Sequence, residues 1–151
     1  MQQMAYNIRN EKERFYFMDR DTYTEVNGRL SPYCKHNGIF MTELAPGHGV
    51  AKKVVTEEDR NALGYAHGAV YFAVADTASG NAVAAYGHTT VTMNSDYHFM
   101  RSAKVGDTII AEANVIKRGR TICVMDCTVK DQDGTLLGKG TFTFFVMEQT
   151  I

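Results

Sequence analysis

Cysteine is scarce in this sequence, and neither sign of charge is in excess. The 151 residues include three cysteines, and no two of them form a CxxC pair. So small and odd a set indicates reduced thiols rather than a disulfide framework. Sixteen basic and seventeen acidic residues give a formal net charge of −1. This balance gives no support for a nucleic-acid-binding surface or for binding to an anionic membrane.

Long hydrophobic runs and the motifs of several enzyme classes are also missing. The N-terminal stretch MQQMAYNIRNEKERFYF has no continuous apolar core, so we expect no signal peptide. The most apolar run, residues 67–86, contains Asp76 and Asn81, which disfavours a membrane-spanning helix. There is no GxSxG, GxGxxG or P-loop pattern, and the five histidines lack HxxxH and HExxH spacing. We therefore expect a cytoplasmic protein without a metal ion, a cofactor or a membrane partner.

What the sequence does contain is a succession of periodic segments in a chain long enough for one domain. An N-terminal helical extension, residues 1–30, is predicted to hold an amphipathic helix up to about Phe17, followed by polar residues 19–29 with a turn signal at Asn27-Gly28. A short helix is predicted from Ser31-Pro32 to Asn37-Gly38. The remaining predicted elements are a hairpin (residues 39–45 and 49–56), a long helix (67–86) and four strands (89–100, 108–117, 121–130 and 135–147).

These elements predict an α+β fold for residues 31–151. The long helix is rich in alanine and apolar around its whole circumference, so it should be buried on most sides. A curled antiparallel sheet of about five to six strands would wrap around it. One helix cannot cover both faces of such a sheet. We therefore expect the other face and the edge strands to contact a second subunit.

The predicted strand at residues 89–100 alternates in polarity. Val91, Met93, Tyr97 and Phe99 are expected to share one face, and Thr92 is expected on the opposite face with the polar residues around it. A period of two predicts a half-buried strand.

One carboxylate lies inside the apolar helix, where a buried charge is costly unless it is paired or used. This residue, Asp76, could activate a water molecule or attack a carbonyl carbon directly. Gly68 lies at the predicted start of the same helix. Free backbone N–H groups and the helix dipole there suit a carbonyl oxygen that gains negative charge. His67 could donate to that oxygen or fix the turn, and Asn61 could hold the loop or orient a water molecule.

The stretch NALGYAHGAVYFAVAD resembles the hotdog-fold thioesterases of the PaaI type. That family shows a pattern like N-x-x-G-x-x-H-G-G, with an aspartate nine residues after the histidine. Ala69 departs from the pattern, since a second glycine is usual there. The resemblance continues through VTMNSDYHFMRSAKVGD, KRGR and DQDGTLLGKGTFTF, and covers about residues 31–147. The residues that match the motif are Asn61, Gly64, His67, Gly68 and Asp76.

The resemblance implies an acyl-CoA thioesterase that forms a dimer or a dimer of dimers, with a composite site at the subunit interface. It implies a small, medium-length or aryl-acetyl acyl group, and coenzyme A only as part of the substrate. Helix geometry agrees, because the eight residues from Gly68 to Asp76 span about 12 Å, too far for one carbonyl group to contact both. Thr92 matches a position where some family members carry a hydroxyl residue near the attacking water.

The same resemblance assigns further residues to substrate binding. In the family, turns at strand ends lie near the coenzyme A arm, where basic side chains could meet its phosphates. Aromatic side chains could line an acyl pocket, or could belong to the core. The residues concerned are Ala69, Arg101, Lys104, Lys117, Arg118, Gly119 and Arg120 for the coenzyme A side, and Tyr71, Phe72, Tyr97 and Phe99 for the acyl side.

Two other functions stay open on the sequence. The pocket could sense acyl-CoA without cleaving it, although the presence of Asp76 argues against a pure sensor. The protein could also be a hotdog dehydratase that acts on a 3-hydroxyacyl thioester, with His67 and Asp76 as the acid–base pair. The spacing of the motif fits hydrolysis better.

Overall fold

A computed structural model of the protein describes residues 20–147, which form three helices and six strands, together with a short 3-10 helix, Glu57–Asp59. The helices are α1 (Arg20–Gly28), α2 (Pro32–His36) and α3 (Gly68–Ala84). The strands are β1 (Phe40–Ala45), β2 (His48–Val54), β3 (Thr90–Phe99), β4 (Thr108–Arg118), β5 (Ile122–Lys130) and β6 (Leu136–Val146).

All six strands form one antiparallel sheet in the order β1-β2-β4-β5-β6-β3, and the sheet curls around α3. The predicted α+β hotdog fold is therefore confirmed. β1 and β3 are the edge strands of the described sheet. No helix in the described range has the length and apolar character needed to cross a membrane.

The core lies between α3 and the concave face of the sheet. Alternate residues of the central strands point inward, and the three cysteines are free and buried, two of them on β5, where core packing was predicted. α3 contributes mainly small side chains, which lets the sheet come close. A Cβ on Gly49 of β2 would lie 2.7 Å from the carbonyl oxygen of Ala78, so the helix and the strand can meet only at a glycine.

The first described segment adds to the prediction for residues 19–29, because the polar stretch before the Asn27-Gly28 turn signal is helical over residues 20–28. Val26 and Leu30, four residues apart, are buried against the core. The mainly polar composition of the segment gave no sign of this contact. The Asn27 side chain donates to the Met41 carbonyl oxygen (3.0 Å) and accepts from the Met41 N–H (2.8 Å), which docks α1 on β1. The helix predicted up to Phe17 lies outside the described residues.

β3 corrects the predicted alternation. The register with β6 shifts between Thr92 and Asn94, so Met93 is the extra residue of a β-bulge. A bulge reverses which face the following residues occupy. Thr92 therefore points to α3, on the same side as Tyr97 and Phe99, instead of on the opposite face.

Candidate active site

A groove of about 860 Å³ runs along the exposed side of α3. β3 forms one wall, and the chain from the end of α1 through α2 forms the other. The lining residues of α3 recur at spacings of three and four, as one face of a helix requires. They are Gly68, Ala69, Phe72, Ala73, Asp76, Thr77, Gly80, Asn81 and Ala84.

Asp76 and Thr92 form the polar centre of this groove. The Thr92 hydroxyl donates to Oδ1 of Asp76 at 2.7 Å. Burial raises the pKa of Asp76 above the ordinary aspartate value, and the hydrogen bond from Thr92 partly offsets this. A carboxylate with a raised pKa is a better proton acceptor than an exposed one. The Thr92 oxygen, having donated its own proton, can still accept a hydrogen bond from a water molecule.

His67 and Gly68 build the start of α3. His67 is the N-cap residue, and its Nδ1 accepts the Ala69 N–H at 3.0 Å. Of the two roles predicted for His67, fixing the turn is therefore observed. Because Nδ1 acts as an acceptor, the neutral ring carries its hydrogen on Nε2, which can donate to a ligand. Gly68 lines the groove, and its N–H precedes the first intrahelical hydrogen bond.

Asn61 organises the loop that leads to the helix. Its Oδ1 accepts from the N–H groups of Leu63 (2.9 Å) and Tyr65 (3.2 Å), and its own N–H donates to the Tyr65 carbonyl oxygen (2.7 Å). Gly64 completes this turn with a positive φ of 85°. Asn61 does not line the groove, so of its two predicted roles the geometry supports holding the loop.

The predicted aromatic residues divide into two groups. Phe72 and Phe99 line the groove. Tyr71 faces the core instead, where its hydroxyl oxygen accepts the Ala103 N–H at 2.6 Å, so it does not line the groove as an acyl-pocket residue would. Tyr97 packs edge-on against Phe72, with ring centroids 6.2 Å apart.

The predicted basic residues also divide, because they lie near opposite ends of α3. Arg101 and Lys104 flank Ala103, which bonds to Tyr71 near the start of the helix. Arg118 and Arg120, with Gly119 between them, line a second cavity of about 470 Å³ near the end of the helix. Arg118 lies over the Tyr86 ring there, 4.0 Å from its centroid. One protomer does not gather these side chains into a single phosphate site.

Several groove residues were not predicted from the sequence. Those on α3 could have been found, since Thr77, Gly80 and Asn81 each lie four residues after another residue of the same helix face. Tyr33 and Cys34 could not, because they belong to α2, and nothing local indicates that α2 packs beside α3. Cys34 reaches α3 through its sulfur, 3.4 Å from the Thr77 hydroxyl oxygen. Within residues 20–147, no three His, Cys, Asp or Glu side chains meet as a metal site requires.

Comparison with known proteins places these features in a family. The model of the thioesterase superfamily matches residues 63–137. Acyl-coenzyme A thioesterase PaaI of Escherichia coli is 30% identical over 95 residues, which cover 63% of this chain and 68% of that protein. This chain belongs to the thioesterase superfamily.

Three further matches extend the relationship within the thioesterases. Acyl-coenzyme A thioesterase 13 of Homo sapiens is 29% identical over 108 residues, which cover 70% of this chain and 77% of that protein. The structure of E. coli PaaI matches with a TM-score of 0.80 at 25% identity, over 85% of this chain and 94% of that one. A hypothetical thioesterase of Streptococcus pneumoniae, solved with coenzyme A, matches with a TM-score of 0.71 at 32% identity, over 75% and 88%.

Proposed function

We propose that this thioesterase hydrolyses acyl-CoA thioesters in a composite site formed by two copies of the chain. The observation that carries the proposal is the Asp76–Thr92 hydrogen bond inside a groove that also contains the start of α3. The names of the relatives support acyl-CoA as the substrate. The S. pneumoniae thioesterase has also been solved as an aspartate-to-alanine and a threonine-to-alanine variant. The two substituted positions are 16 residues apart, the same separation as Asp76 and Thr92.

The reaction uses water and no added cofactor. The thioester carbonyl oxygen accepts hydrogen bonds from the Gly68 N–H and the His67 Nε2–H of one protomer, which stabilise the charge that develops on it. Asp76 of the other protomer takes a proton from a water molecule held by Thr92, and the water oxygen bonds to the carbonyl carbon. The tetrahedral intermediate then collapses and the C–S bond breaks. The sulfur leaves with the proton that Asp76 had taken.

Direct attack by Asp76 is the other route, and it forms an acyl-aspartate anhydride that water then hydrolyses. The two routes differ in where the solvent oxygen goes when water opens the anhydride at its aspartyl carbon, whereas attack at its acyl carbon labels the acid product in both routes. A single turnover in ¹⁸O water labels only the acid product when Asp76 is a base. It leaves label on Asp76 when water attacks the aspartyl carbon of the anhydride.

The second copy is needed because of distance. Gly68 and Asp76 are separated by about 12 Å along one straight helix. β3 is an edge strand whose unpaired backbone groups suit pairing with another strand, and its Val91 and Met93 are 49% and 57% exposed. Pairing two β3 strands about a two-fold axis runs the two α3 helices antiparallel, so that Gly68 of each faces Asp76 of the other.

The antiparallel arrangement also accounts for the basic residues that lie near opposite ends of α3 in one protomer. It brings the end of one α3 beside the start of the other. Arg118 and Arg120 of one protomer then lie at the same end of the site as Arg101 and Lys104 of the other, where they can bind the phosphates of coenzyme A. Phe72 and Phe99 remain at the acyl side, which suits a small, medium-length or aryl-acetyl group.

The first test is a thiol-release assay with a panel of acyl-CoA thioesters. Asp76→Asn keeps an acceptor for the Thr92 hydroxyl, so the fold and the dimer should persist while kcat falls by at least about 100-fold. Asp133→Asn makes the same change of charge in the exposed turn before β6 and should leave kcat unchanged. Normal turnover by Asp76→Asn would exclude the proposed role. Binding without thiol release would indicate a sensor, and absorbance of an enoyl product would indicate a dehydratase.

A further inference from the structure

A buried ion pair lies outside the groove and takes no part in the chemistry proposed above. Lys53 of β2 points towards the core side of the sheet, where its Nζ lies 2.9 Å from Oδ2 of Asp59. Lys53 is 4% exposed and Asp59 is 9% exposed. Two charges removed from water in this way are costly to bury unless their surroundings compensate. Their hydrogen bonds show what the pair holds together.

The Lys53 ammonium joins two segments that border the groove. Besides Asp59, it donates to the carbonyl oxygen of Asn37, the C-cap residue of α2. α2 carries Tyr33 and Cys34 on the groove wall. Lys53 therefore ties the end of that wall to the 3-10 helix that contains Asp59.

The Asp59 carboxylate holds the beginning of that 3-10 helix. Oδ2 accepts the Thr56 N–H at 2.8 Å and the Thr56 hydroxyl at 3.0 Å. Burial alone would raise the pKa of Asp59, but the hydrogen bonds from Thr56 and Lys53 and the charge of Lys53 outweigh it, and the pKa is lowered. Asp59 is therefore ionised at neutral pH, and its carboxylate accepts the hydrogen bonds that close the Thr56–Asp59 turn.

The backbone of the same residue holds the start of α3. The His67 N–H donates to the Asp59 carbonyl oxygen at 2.8 Å. Arg60 and Ala66, the next residues inward on each side, form an isolated antiparallel bridge. The loop from Asp59 to His67 is thus closed at its base by the residue that the ion pair fixes. His67 in turn caps the helix through Ala69.

We propose that Asp59, through its hydrogen bonds to Thr56, is a positioning residue for the His67–Gly68 donors. Its carboxylate fixes the Thr56–Asp59 turn, and its carbonyl oxygen sets the place of His67. Lys53 compensates the buried charge of that carboxylate. The proposal rests on the proposed function for its link to catalysis, since His67 and Gly68 bind the thioester oxygen there. If these donors are displaced from the oxygen by a fraction of an ångström, kcat should fall by more than the affinity for the substrate does.

Two double variants separate positioning from simple stability. Lys53→Met with Asp59→Asn removes both buried charges but keeps an acceptor for the Thr56 N–H and hydroxyl. Lys53→Met with Asp59→Leu removes the same charges and the acceptor. We expect the asparagine double variant to keep nearly normal kcat. The leucine double variant should lose about tenfold to a hundredfold in kcat with little change in KM. Equal kcat in two folded double variants would overturn the proposal.

A second measurement keeps this test independent of the proposed activity. Amide hydrogen exchange at His67 and Ala69 should be faster in the leucine double variant than in the asparagine one, whether or not the wild type releases thiol. A wild type without thiol release would refute the proposed function, and the exchange rates alone would then decide the positioning role. If the leucine variant does not fold, Thr56→Val replaces it, with Thr56→Ser as control. Unchanged exchange in Thr56→Val would overturn the proposal.

Discussion

At the scale of single residues, Asp76 is held between two opposing effects. Burial disfavours its charged form, while the hydrogen bond that Thr92 donates favours it. The proposed chemistry requires the ionised carboxylate, so the rate should rise with pH as Asp76 loses its proton. Because burial dominates, the rise should be centred above pH 3.8, the ordinary value for an aspartate.

Thr92→Val tests this balance. Valine has nearly the shape of threonine but cannot donate to Asp76, so the pKa of Asp76 should rise further. The acidic limb of the kcat profile should therefore move to higher pH, and the plateau should fall because a water contact is lost. Thr92→Ser keeps the donor and should keep the wild-type limb. A Thr92→Val profile that is lowered equally at every pH, without a shift, would contradict the assignment.

The place of Asp76 in the groove was predictable from sequence, whereas its hydrogen bond with Thr92 was predictable less firmly. A single carboxylate in an apolar helix stands out in the pattern, as does its distance from Gly68. The contact with Thr92 depends on the bulge at Met93, and strict alternation put Thr92 on the wrong face relative to Tyr97 and Phe99. A bulge depends on pairing with another strand, which local sequence does not specify.

Tyr71→Phe distinguishes a core residue from a pocket residue. Phenylalanine leaves the buried Ala103 N–H without its acceptor, which should cost about 1–3 kcal/mol of unfolding free energy. The kcat and KM values of the folded protein should stay close to wild type, because Tyr71 does not line the groove. Tyr65→Phe, in an exposed loop, should change neither quantity. Urea unfolding measures the stability of both variants, and assays in parallel give their kcat and KM values. A change in acyl preference without a loss of stability would contradict the assignment of Tyr71 to the core.

At the scale of elements, hydrophobic period and turn residues predicted α2, α3 and all six strands to within a few residues. Gly38, Gly47, Gly87 and Gly134 have positive φ at or just beyond the ends of the predicted elements, where glycine adopts that conformation without strain. α1 escaped prediction because a helix with few apolar residues is stabilised by docking rather than by its own pattern. What local patterns do not predict is therefore how elements contact one another.

The pairing of β3 with β6 should be sensitive to one methyl group. A Cβ on Gly140 would meet the Asp96 carbonyl oxygen and lie 2.9 Å from Tyr97 Cα, so Gly140→Ala should force the two strands apart. We expect a loss of about 1–3 kcal/mol in unfolding free energy. The rate should also fall, since β3 carries Thr92. Thr141→Ala, exposed on the same strand, is the control for urea unfolding. Wild-type stability of Gly140→Ala would show that β3 does not pack as described.

At the scale of the whole molecule, the proposed composite site divides each protomer into two half sites. The helix start brings together His67, Gly68 and Ala69, and the middle of the helix brings together Asp76 and Thr92. The sequence pattern identified both groups, but a single chain does not join them. The groove along α3 shows only that both groups of residues face the same side of the helix. Mixed dimers can decide whether two chains complete each site.

Asp76→Asn removes the proton acceptor, and Gly68→Val obstructs the helix start, where a Cβ alone would lie 3.4 Å from the Phe99 ring. Each variant alone should be nearly inactive. A mixed dimer of the two contains one site with both defects and one site with none. Random reassortment makes about half of the dimers mixed, so activity should recover to about 25% of wild type. The measurement is thiol release after the two purified variants are refolded together.

The matched control carries both substitutions on one chain, and this double variant is refolded in excess over the wild type. In a composite site, every mixed dimer then has one defect in each of its two sites, so wild-type activity should be suppressed. If each chain held a complete site, the wild-type chain would stay active in mixed dimers, and the two single variants would never restore one another. Recovery in the first mixture and suppression in the second, together, require that the Gly68 donors and the Asp76 carboxylate of one site belong to different chains.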